Sequence, residues 1–244
     1  MISVCIATYN GEKFIKEQLD SILLQLGNED EIIISDDGST DDTIKIAASY
    51  QDARIKTFRN SFKNLILNFE FALKQAKGEY IFLSDQDDIW MSNKVEICMN
   101  DFQKGYDLIL SDCSIFDSAS KVTLHPSFFD FNKSKRGIVN NIIKNSYIGC
   151  CMAFNNKVKN RVLPFPDNIP MHDSWIGINS ELYYNVNFNK NSLIKYRKHS
   201  KNASDTSSGI SKYSFLKKVS YRIITVYYLF LRFFVYKNDS KKYV

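Results

Sequence analysis

Short apolar runs alternate with helical patterns over the first 105 residues of the chain. The runs that predict buried strands cover residues 2–7, 31–35, 54–58 and 80–84. Helical spacing of apolar residues predicts helices over residues 14–26, 64–77 and 92–103, and a further helix begins near Thr40 or Asp41 and ends near Tyr50. Strands that alternate with helices predict an α/β fold, with a mostly parallel sheet and helices on both of its faces.

The second half of the chain has a weaker pattern. Strands are predicted over residues 107–116 and 148–155, a helix over 174–183, and one or two strands over 186–197. Residues 117–148 are polar, aromatic and poorly periodic, which predicts a mobile loop with a helix at 138–145. We therefore expect one domain over residues 1–205, divided into halves at 1–110 and 111–205, and a tail over 206–244.

Composition is consistent with one folded domain and a short appendage. The chain has 244 residues, of which 44% are hydrophobic and 24% charged. Its five cysteines are odd in number and form no C-x-x-C pair, which favours reduced thiols and a cytoplasmic location. The chain enters a strand at its first residues without a basic segment before it, so we expect no signal peptide.

Charge divides the chain unequally. Residues 190–244 contain 13 Lys and Arg against 2 Asp, a net charge of +11, whereas residues 1–189 sum to −6. The basic and aromatic tail contains an apolar run over 223–236 that is too short for a membrane span, which needs about 20 residues. Two alternatives stay open: a helix in the interface of an anionic membrane, or a helix packed on the core.

Acidic residues follow the fourth predicted strand in the sequence Ser-Asp-Gln-Asp-Asp. Asp85, Asp87 and Asp88 bring three carboxylates to the end of one strand, where their mutual repulsion favours a bound cation. Mg²⁺ and Mn²⁺ prefer oxygen ligands and often bridge carboxylates to phosphates. The motif therefore predicts a site for a metal and a diphosphate, and the alternative is a solvated acidic loop.

Polar groups also follow the first two strands, and the carboxyl ends of parallel strands meet at one edge of a sheet. Tyr9 can stack on a flat base, and Asp37 can accept a hydrogen bond from a uracil or thymine N–H. The alternatives are a rim aromatic without a ligand and an Asx turn, in which Asp36 has the more structural part. Lys63 is within reach of a diphosphate, although a solvated charge is the alternative.

The second half offers a candidate general base. Asp173 precedes a predicted helix and lies close to Trp175, and a carboxylate beside an aromatic ring suits a carbohydrate acceptor. A helix cap is the structural alternative for Asp173. Trp175 and His172 are predicted to contact the acceptor, and His199, in a basic and polar context, is predicted to bind the metal or the diphosphate.

The chain contains neither a P-loop nor a G-x-G-x-x-G motif, but the order of its parts resembles the family 2 glycosyltransferases, inverting enzymes with the GT-A fold. The segments that carry this resemblance are SVCIATYN at 3–10, ISDDGSTD at 34–41 and GEYIFLSDQDDIW at 78–90. The likeness is specific over residues 1–110 and looser up to 202, where it depends on His172-Asp173 and on residues 197–202. The Asp-Gln-Asp-Asp-Ile-Trp version is similar to a branch that includes rhamnosyltransferases of bacterial surface polysaccharides.

The resemblance implies a role for each candidate residue. The nucleotide would contact Ala7, Thr8, Tyr9, Asp37, Lys63 and Asp85; the divalent metal would contact Asp87, Asp88 and His199; and Asp173 would be the catalytic base. Ala7 stands where the family usually has proline, and Asn64 where a glycine is common, with asparagine tolerating a left-handed turn.

The implied activity is inverting transfer of a sugar from a UDP- or dTDP-linked donor to a saccharide or lipid-linked acceptor in polysaccharide synthesis. We expect a peripheral location on the inner face of a bacterial plasma membrane. The alternatives are a nucleotidyltransferase acting on sugar phosphates and an inactive module that binds a sugar nucleotide. No motif predicts a nucleic-acid partner, although the basic tail alone would permit one.

Overall fold

The structure is a computed structural model that describes residues 1–200, 202 and 214–239. Its strands are β1 (Ile2–Thr8), β2 (Glu31–Asp36), β3 (Ile55–Arg59), β4 (Tyr80–Asp85), β5 (Ile89–Trp90), β6 (Leu108–Asp117), β7 (Thr123–His125), β8 (Met152–Asn155) and β9 (Val186–Lys198). Its helices are α1 (Ile15–Leu23), α2 (Thr43–Ser49), α3 (Leu65–Gln75), α4 (Lys94–Gln103), α5 (Phe128–Asn132), α6 (Ile138–Ile143), α7 (Asn156–Val162), α8 (His172–Tyr183) and α9 (Phe215–Asp239). A 3-10 turn, Gly149–Cys151, precedes β8.

One sheet extends across both predicted halves of the chain. Its strand order is β3-β2-β1-β4-β8-β6-β9-β5, with β7 paired to β6. The pairs β1–β2, β1–β4, β2–β3 and β6–β9 are parallel, whereas β8 runs antiparallel to β4 and β6. The predicted mostly parallel α/β sheet is confirmed, and the predicted division at residue 110 falls inside β6.

The sequence explains why the first half folds as predicted. Every residue of β1 and β2 is buried, because both strands are nearly continuous apolar runs covered on both faces. Helix α1 buries Ile15, Leu19 and Ile22 at helical spacing. Asn64 caps α3, since its side-chain oxygen accepts hydrogen bonds from the backbone N–H groups of the helix's first turn. As a result, the carboxyl ends of β1, β2 and β4 lie at the same edge of the sheet.

The second half departs from several predictions. Residues 117–148 contain β7, α5 and α6 rather than one loop with a single helix. The Asp112 carboxylate anchors this segment, because it accepts hydrogen bonds from Ser127 Oγ and, at 2.9 Å, from Phe129 N. The strand predicted from residue 148 begins only at Met152, after the 3-10 turn, and α7 was not predicted.

The apolar core and the reduced cysteines agree with what the composition predicts. One cluster of buried apolar side chains extends under the whole sheet, and all five cysteines are buried and free. The C-terminal helix α9 packs on the domain: Arg222 donates to the carbonyl groups of Ile142, at 3.1 Å, and Ile143, at 2.8 Å. None of the helices in the described part of the chain is long and apolar enough to cross a membrane.

Candidate active site

A cavity of about 810 Å³ opens where β1, β2 and β4 end. Nine predicted site residues line it, namely Ala7, Thr8, Tyr9, Asp37, Lys63, Asp85, Asp87, His172 and Asp173. Three predicted residues, Asp88, Trp175 and His199, do not. The topology brings residues from both halves of the sequence to one cavity, because the carboxyl ends of the parallel strands share this edge.

The two aspartates after β2 have different environments. Asp36 is fully buried and holds the turn together, since it accepts hydrogen bonds from Thr8 Oγ1 at 2.9 Å and from Ser39 N at 2.9 Å. Asp37 lies on the cavity, and its two oxygens accept from Lys63 N and Asn64 N, each at 2.8 Å. Asp36 is therefore the structural member of the pair, as predicted, and Asp37 is presented to the cavity.

The loop that holds Asp37 has its left-handed residue one position earlier than expected. Lys63 has a φ of 50°, whereas Asn64 is extended with a φ of −152°. Asn64 therefore caps α3 instead of supplying the left-handed turn. This turn aims two adjacent backbone N–H groups at one carboxylate.

Gln86 joins the end of β1 to the acidic loop. The backbone N–H of Tyr9 donates to Gln86 Oε1 at 2.9 Å, and Gln86 Nε2 donates to the Tyr9 carbonyl at 3.1 Å. A Cβ on Gly11 would lie 2.3 Å from Gln86 Oε1, so only glycine permits this close approach. The Tyr9 ring remains 59% exposed beside the cavity, where a flat ligand can stack on it.

The carboxylates of the acidic loop point in different directions. Asp85 and Asp87 line the cavity, whereas Asp88 is fully buried and accepts a hydrogen bond from Arg197 N at 2.9 Å. Burial, followed by the charge of Asp87, raises the pKa of Asp85 to about 8 and the pKa of Asp88 well above its usual value. The prediction that Asp88 reaches the crevice is therefore wrong, because it lies beneath the cavity floor.

Strand β9 closes the acidic loop from the other side. Arg197, which is 1% exposed, donates from Nε to the Asp87 carbonyl at 2.7 Å and pairs with Glu17. His199 follows β9, stacks on Phe14 with ring centroids 4.9 Å apart, and places Nε2 2.8 Å from Asp87 Oδ2. His199 thus reaches the acidic loop, although it does not line the cavity itself.

The donor atoms here fit a divalent cation. Asp87 Oδ2 and His199 Nε2 lie 2.8 Å apart, at hydrogen-bond distance, and carboxylate and imidazole groups are both ligands of divalent cations. Among the described residues, Asp85, Asp88 and Cys150 form a second donor group, with ligand atoms within 4.8 Å of one another. One oxygen of Asp88 is buried with no hydrogen-bond partner in the described part of the chain, as expected of a site that awaits a cation or a proton.

Asp173 lies in the first turn of α8 and on the cavity. Its carboxylate accepts hydrogen bonds from Ser174 N, Gly149 N and the Asn145 side chain. Burial nevertheless raises its pKa to about 7, and its negative charge contributes to the raised pKa of Asp85. A carboxyl group with a pKa near neutrality can take a proton from a bound hydroxyl.

His172 is a buried histidine whose ring nitrogens have no hydrogen-bond partner among the described residues. It is 3% exposed, it stacks on Phe69 with ring centroids 4.1 Å apart, and neither ring nitrogen has a hydrogen-bond partner. Burial lowers its pKa to about 3, so the ring is neutral. A Cβ on Gly149 would lie 2.6 Å from His172 Nε2, so the glycine leaves room for the ring beside the cavity.

Trp175 does not contact the cavity, contrary to the prediction that it faces an acceptor. The ring is 1% exposed, and its Nε1 donates to the Val162 carbonyl at 3.1 Å. Helix periodicity explains the difference, because residues two apart on a helix do not share a face. Trp175 therefore points into the core, whereas Asp173 points to the cavity.

Several contacts in the site were not predicted from the sequence. Gln86, Gly149, Tyr196 and Asn202 line the cavity, and Asn145 supports Asp173 from a distant segment. Gln86 had a sequence signal, since it lies inside the acidic motif, and Asn202 lies in the segment 197–202 that carries part of the family resemblance. The others are isolated residues whose positions depend on the packing of the second half.

The fold, a mostly parallel sheet with helices on both faces, is that of the GT-A structures. Residues 1–349 of TarS from S. aureus, in complex with UDP-GlcNAc, superpose with a TM-score of 0.69 at 20% identity, covering 92% of this chain and 66% of that TarS fragment. Mannosyltransferase PcManGT from Pyrobaculum calidifontis, in complex with GDP-Man and Mn²⁺, superposes with a TM-score of 0.62 at 18% identity. The superposition covers 82% of this chain and 58% of the PcManGT chain. At these identities the likeness establishes the fold alone.

The sequence assigns the family. The model of Glycosyl transferase family 2 matches residues 3–163, and the chain belongs to this family of glycosyltransferases. WfgD of Escherichia coli, a UDP-Glc:alpha-D-GlcNAc-diphosphoundecaprenol beta-1,3-glucosyltransferase, is 29% identical over 75% of this chain and 67% of WfgD. RfbG of Shigella flexneri, a dTDP-rhamnosyl transferase, is 37% identical over 47% of this chain and 38% of RfbG. The chain thus spans about two thirds of the first relative and little more than a third of the second.

Proposed function

We propose that this chain transfers a sugar, with inversion, from a UDP- or dTDP-linked donor to a hydroxyl group of a saccharide or lipid-linked acceptor in cell-surface polysaccharide synthesis. One observation carries the proposal: Asp85 and Asp87 open into the same cavity as Asp173, a carboxyl group with a pKa of about 7. A pair of carboxylates suited to a divalent cation and a general base thereby share one cavity.

The nucleotide would bind at the ends of β1 and β2. The exposed Tyr9 ring offers a stacking face, and the fixed Asp37 carboxylate lies where it can accept the N–H of uracil or thymine. Ala7 and Thr8 lie beneath this position at the end of β1, and Lys63 borders the cavity. The names of WfgD and RfbG and of the TarS complex contain UDP or dTDP, whereas PcManGT was solved with GDP-Man. The name of RfbG is the reason to include a dTDP-rhamnose donor in the test panel.

The diphosphate and the metal would occupy the acidic end. Asp87 and His199 would hold Mg²⁺ or Mn²⁺, with Asp85 beside them. When bound, the cation supplies positive charge that stabilises the leaving nucleoside diphosphate. Arg197 fixes the loop for this purpose, because it holds the Asp87 carbonyl and the Asp88 carboxylate in place through its Nε and backbone N–H.

Asp173 would act as the general base. It takes the proton from the acceptor hydroxyl, whose oxygen forms a bond to the anomeric carbon while the bond from that carbon to the diphosphate oxygen breaks. The electron pair of the broken bond leaves with the nucleoside diphosphate, and attack from the opposite side inverts the anomeric centre. The three N–H donors around Asp173 orient its carboxylate toward the cavity.

His172 would position a sugar hydroxyl. As a neutral imidazole it has one donor and one acceptor nitrogen, and neither is used within the described protein. Leaving such groups buried without partners costs about 1–3 kcal/mol, which a substrate hydroxyl would recover on binding. The histidine is therefore better suited to recognising a hydroxyl group than to transferring a proton.

The acceptor and the location are also proposals. WfgD bears the name of an enzyme that acts on a diphosphoundecaprenol-linked sugar, which supports a lipid-linked acceptor here. We infer a peripheral position on the inner face of a bacterial plasma membrane, where such acceptors and nucleotide sugars meet. We also propose that residues 1–110 mainly bind the nucleotide, that 111–205 mainly bind the acceptor, and that 206–244 serve as a tail.

A binding and turnover experiment tests this function. Calorimetry with UDP and dTDP, with and without Mn²⁺, should give metal-dependent binding, and a panel of nucleotide sugars with lipid-linked acceptors should give product with one donor. Release of pyrophosphate from a nucleoside triphosphate and a sugar phosphate would instead identify a nucleotidyltransferase. Binding without transfer to any acceptor would identify an inactive module and overturn the proposal.

A further inference from the structure

Helix α9 has two apolar faces, and within the described part of the chain the domain covers one of them. The inner face buries Thr225 and Leu229, which are 4% and 8% exposed, and it places Tyr228 against Trp175 with ring centroids 6.5 Å apart. Arg222 and Arg232 on the same side donate to backbone carbonyl groups of the domain. Positions 222, 225, 229 and 232 follow one helical stripe, so the helix is docked in a defined rotation.

The outer face of α9 is apolar and exposed. Between positions 215 and 232 its exposed large apolar residues are Phe215, Leu216, Ile223, Val226, Tyr227, Phe230 and Leu231. Ile223 is 63% and Phe230 61% exposed. A helix with apolar residues on all sides is normally buried on all sides, so this face indicates an interaction surface.

Helix α6 extends the surface. Arg222 binds the last carbonyl groups of α6, which places the two helices side by side. Val139 and Ile143 of α6 are 70% and 62% exposed. We call the exposed apolar side chains of α6 and α9 together the α6–α9 face.

The two chain segments that form this face are rich in Lys and Arg, although Arg222 and Arg232 of α9 donate to carbonyl groups of the domain. Residues 131–166, which include α6, contain seven Lys and Arg and no Asp or Glu. Residues 206–238, which include nearly all of α9, contain six Lys and Arg and no acidic residue. Apolar side chains beside basic residues complement a surface with an acyl interior and anionic headgroups.

We propose that the α6–α9 face binds the surface of an anionic lipid bilayer, with α9 lying in the interface rather than crossing it. The packing of α9 on the core and its membrane contact are then compatible, because the two use opposite sides of the same helix. A protein partner with an apolar face would lack the negative charge that the two acid-free segments favour.

The same geometry connects the membrane contact to the cavity. Trp175, which packs against Tyr228 of α9, lies one helical turn or less from Asp173 on α8. The Arg232 guanidinium also lies 5.6 Å from the Trp175 ring centroid. A bound α9 would hold the acceptor end of the cavity close to the bilayer, and this use of the face rests on the proposed function.

Vesicle binding by the full chain tests the face. We expect co-sedimentation with vesicles of phosphatidylcholine and phosphatidylglycerol at 7:3, and at least tenfold weaker binding to phosphatidylcholine alone. The double variant Ile223→Glu/Phe230→Glu should weaken binding to the anionic vesicles at least tenfold. Circular dichroism and a melting curve confirm that it is folded.

A matched control separates position from charge. Leu24 and Val122 are 89% and 57% exposed and lie outside α6 and α9, next to α1 and β7, so Leu24→Glu/Val122→Glu makes the same change in charge and a smaller change in apolar area elsewhere. We expect the control to bind vesicles within twofold of wild type. Equal losses in the two variants would show a general charge effect and overturn the proposal.

The remaining outcomes distinguish the occupant and the function. The inference is overturned if the wild-type chain does not bind anionic vesicles. If the chain forms a dimer in ultracentrifugation and Ile223→Glu/Phe230→Glu abolishes that dimer, the face belongs to a second copy of the chain instead. Transfer to a water-soluble acceptor analogue should be unchanged in this variant. Vesicle binding without transfer would refute the proposed function alone, and transfer without vesicle binding would refute the face alone.

Discussion

The two walls of the cavity satisfy their polar groups in opposite ways. On the wall formed by β1 and β2, both oxygens of Asp37 accept backbone N–H groups at 2.8 Å. On the wall formed by α8, both nitrogens of His172 are buried without a partner among the described residues, and burial raises the pKa of Asp173 to about 7. The polar groups of the first wall are paired within the protein, whereas we propose that a substrate pairs with those of the second.

This difference suggests that the wall of β1 and β2 is suited to binding and the wall of α8 to the reaction. A carboxylate held by two backbone donors is fixed before a ligand arrives, which suits selective binding of a base. Burying an unpaired neutral histidine and a carboxyl group that titrates near neutrality costs folding free energy. Such costs are typical of residues that serve a reaction. Substitutions should therefore affect stability and activity in the same direction on the first wall and separately on the second.

The largest effect is expected for Asp173→Asn. Loss of a general base lowers turnover by about 10²–10⁴-fold, whereas the nucleotide contacts on the other wall are untouched. The measurements are the transfer rate and the affinity for UDP or dTDP in the presence of Mn²⁺. Turnover within tenfold of wild type would show that another group takes the proton.

The next effect is expected for His172→Leu, which removes both unpartnered nitrogens from a buried position. If they bind a substrate hydroxyl, kcat/KM falls about 10–100-fold, corresponding to about 1.4–2.8 kcal/mol of lost binding in the transition state. The melting temperature should not fall by more than a few degrees, because no protein hydrogen bond is lost. His172→Gln, which keeps a donor and an acceptor, should recover part of the activity, and a large loss of stability in His172→Leu would indicate a structural role.

The two walls also differ in how far the sequence predicted them. Tyr9, Asp37 and Asp85 each follow a strong apolar strand, so local periodicity placed them at one edge of the sheet before the structure was known. Asn145 and Gly149 reach Asp173 across a segment that was predicted to be mostly loop. Helix periodicity separates Asp173 from Trp175, so both could not face the cavity, but which of the two does so depends on how α8 packs on the domain.

Asp37→Asn should affect stability and binding together. An asparagine amide would bring its own N–H donors toward Lys63 N or Asn64 N, leaving at least one backbone donor without a partner at a cost of about 1–3 kcal/mol. Thermal unfolding should occur several degrees lower, since 1 kcal/mol corresponds to about 2–4 °C in a chain of this size. Calorimetry should give roughly tenfold weaker nucleotide binding, and unchanged values of both would remove the contrast between the walls.

The pH dependence of turnover tests the Asp173 wall without a mutation. The folded pKa of about 7 lies above the ordinary value of 3.8, so the carboxyl group is mostly protonated below pH 7 and mostly ionised above it. A base must be ionised, so kcat should fall about tenfold per pH unit below pH 7 and level off above it. A profile that is flat from pH 5 to 8 would contradict this assignment. Nucleotide affinity measured over the same range separates the titration of Asp85, whose pKa burial raises to about 8, from that of Asp173.

Tyr9→Ala should have the smallest effect, and it sharpens the comparison from the side of the first wall. The ring is 59% exposed, so its removal leaves little buried space and should change the melting temperature by less than about 2 °C. Stacking of an aromatic ring on a flat partner contributes about 0.5–1.5 kcal/mol, which corresponds to about 2–12-fold in nucleotide affinity. Because the ring stacks on the base and does not touch the reacting atoms, the loss should appear in KM for the donor while kcat is retained. Tyr9→Phe keeps the stacking face and should bind as wild type; equal losses in Tyr9→Ala and Tyr9→Phe would assign the effect to the hydroxyl group instead of the ring.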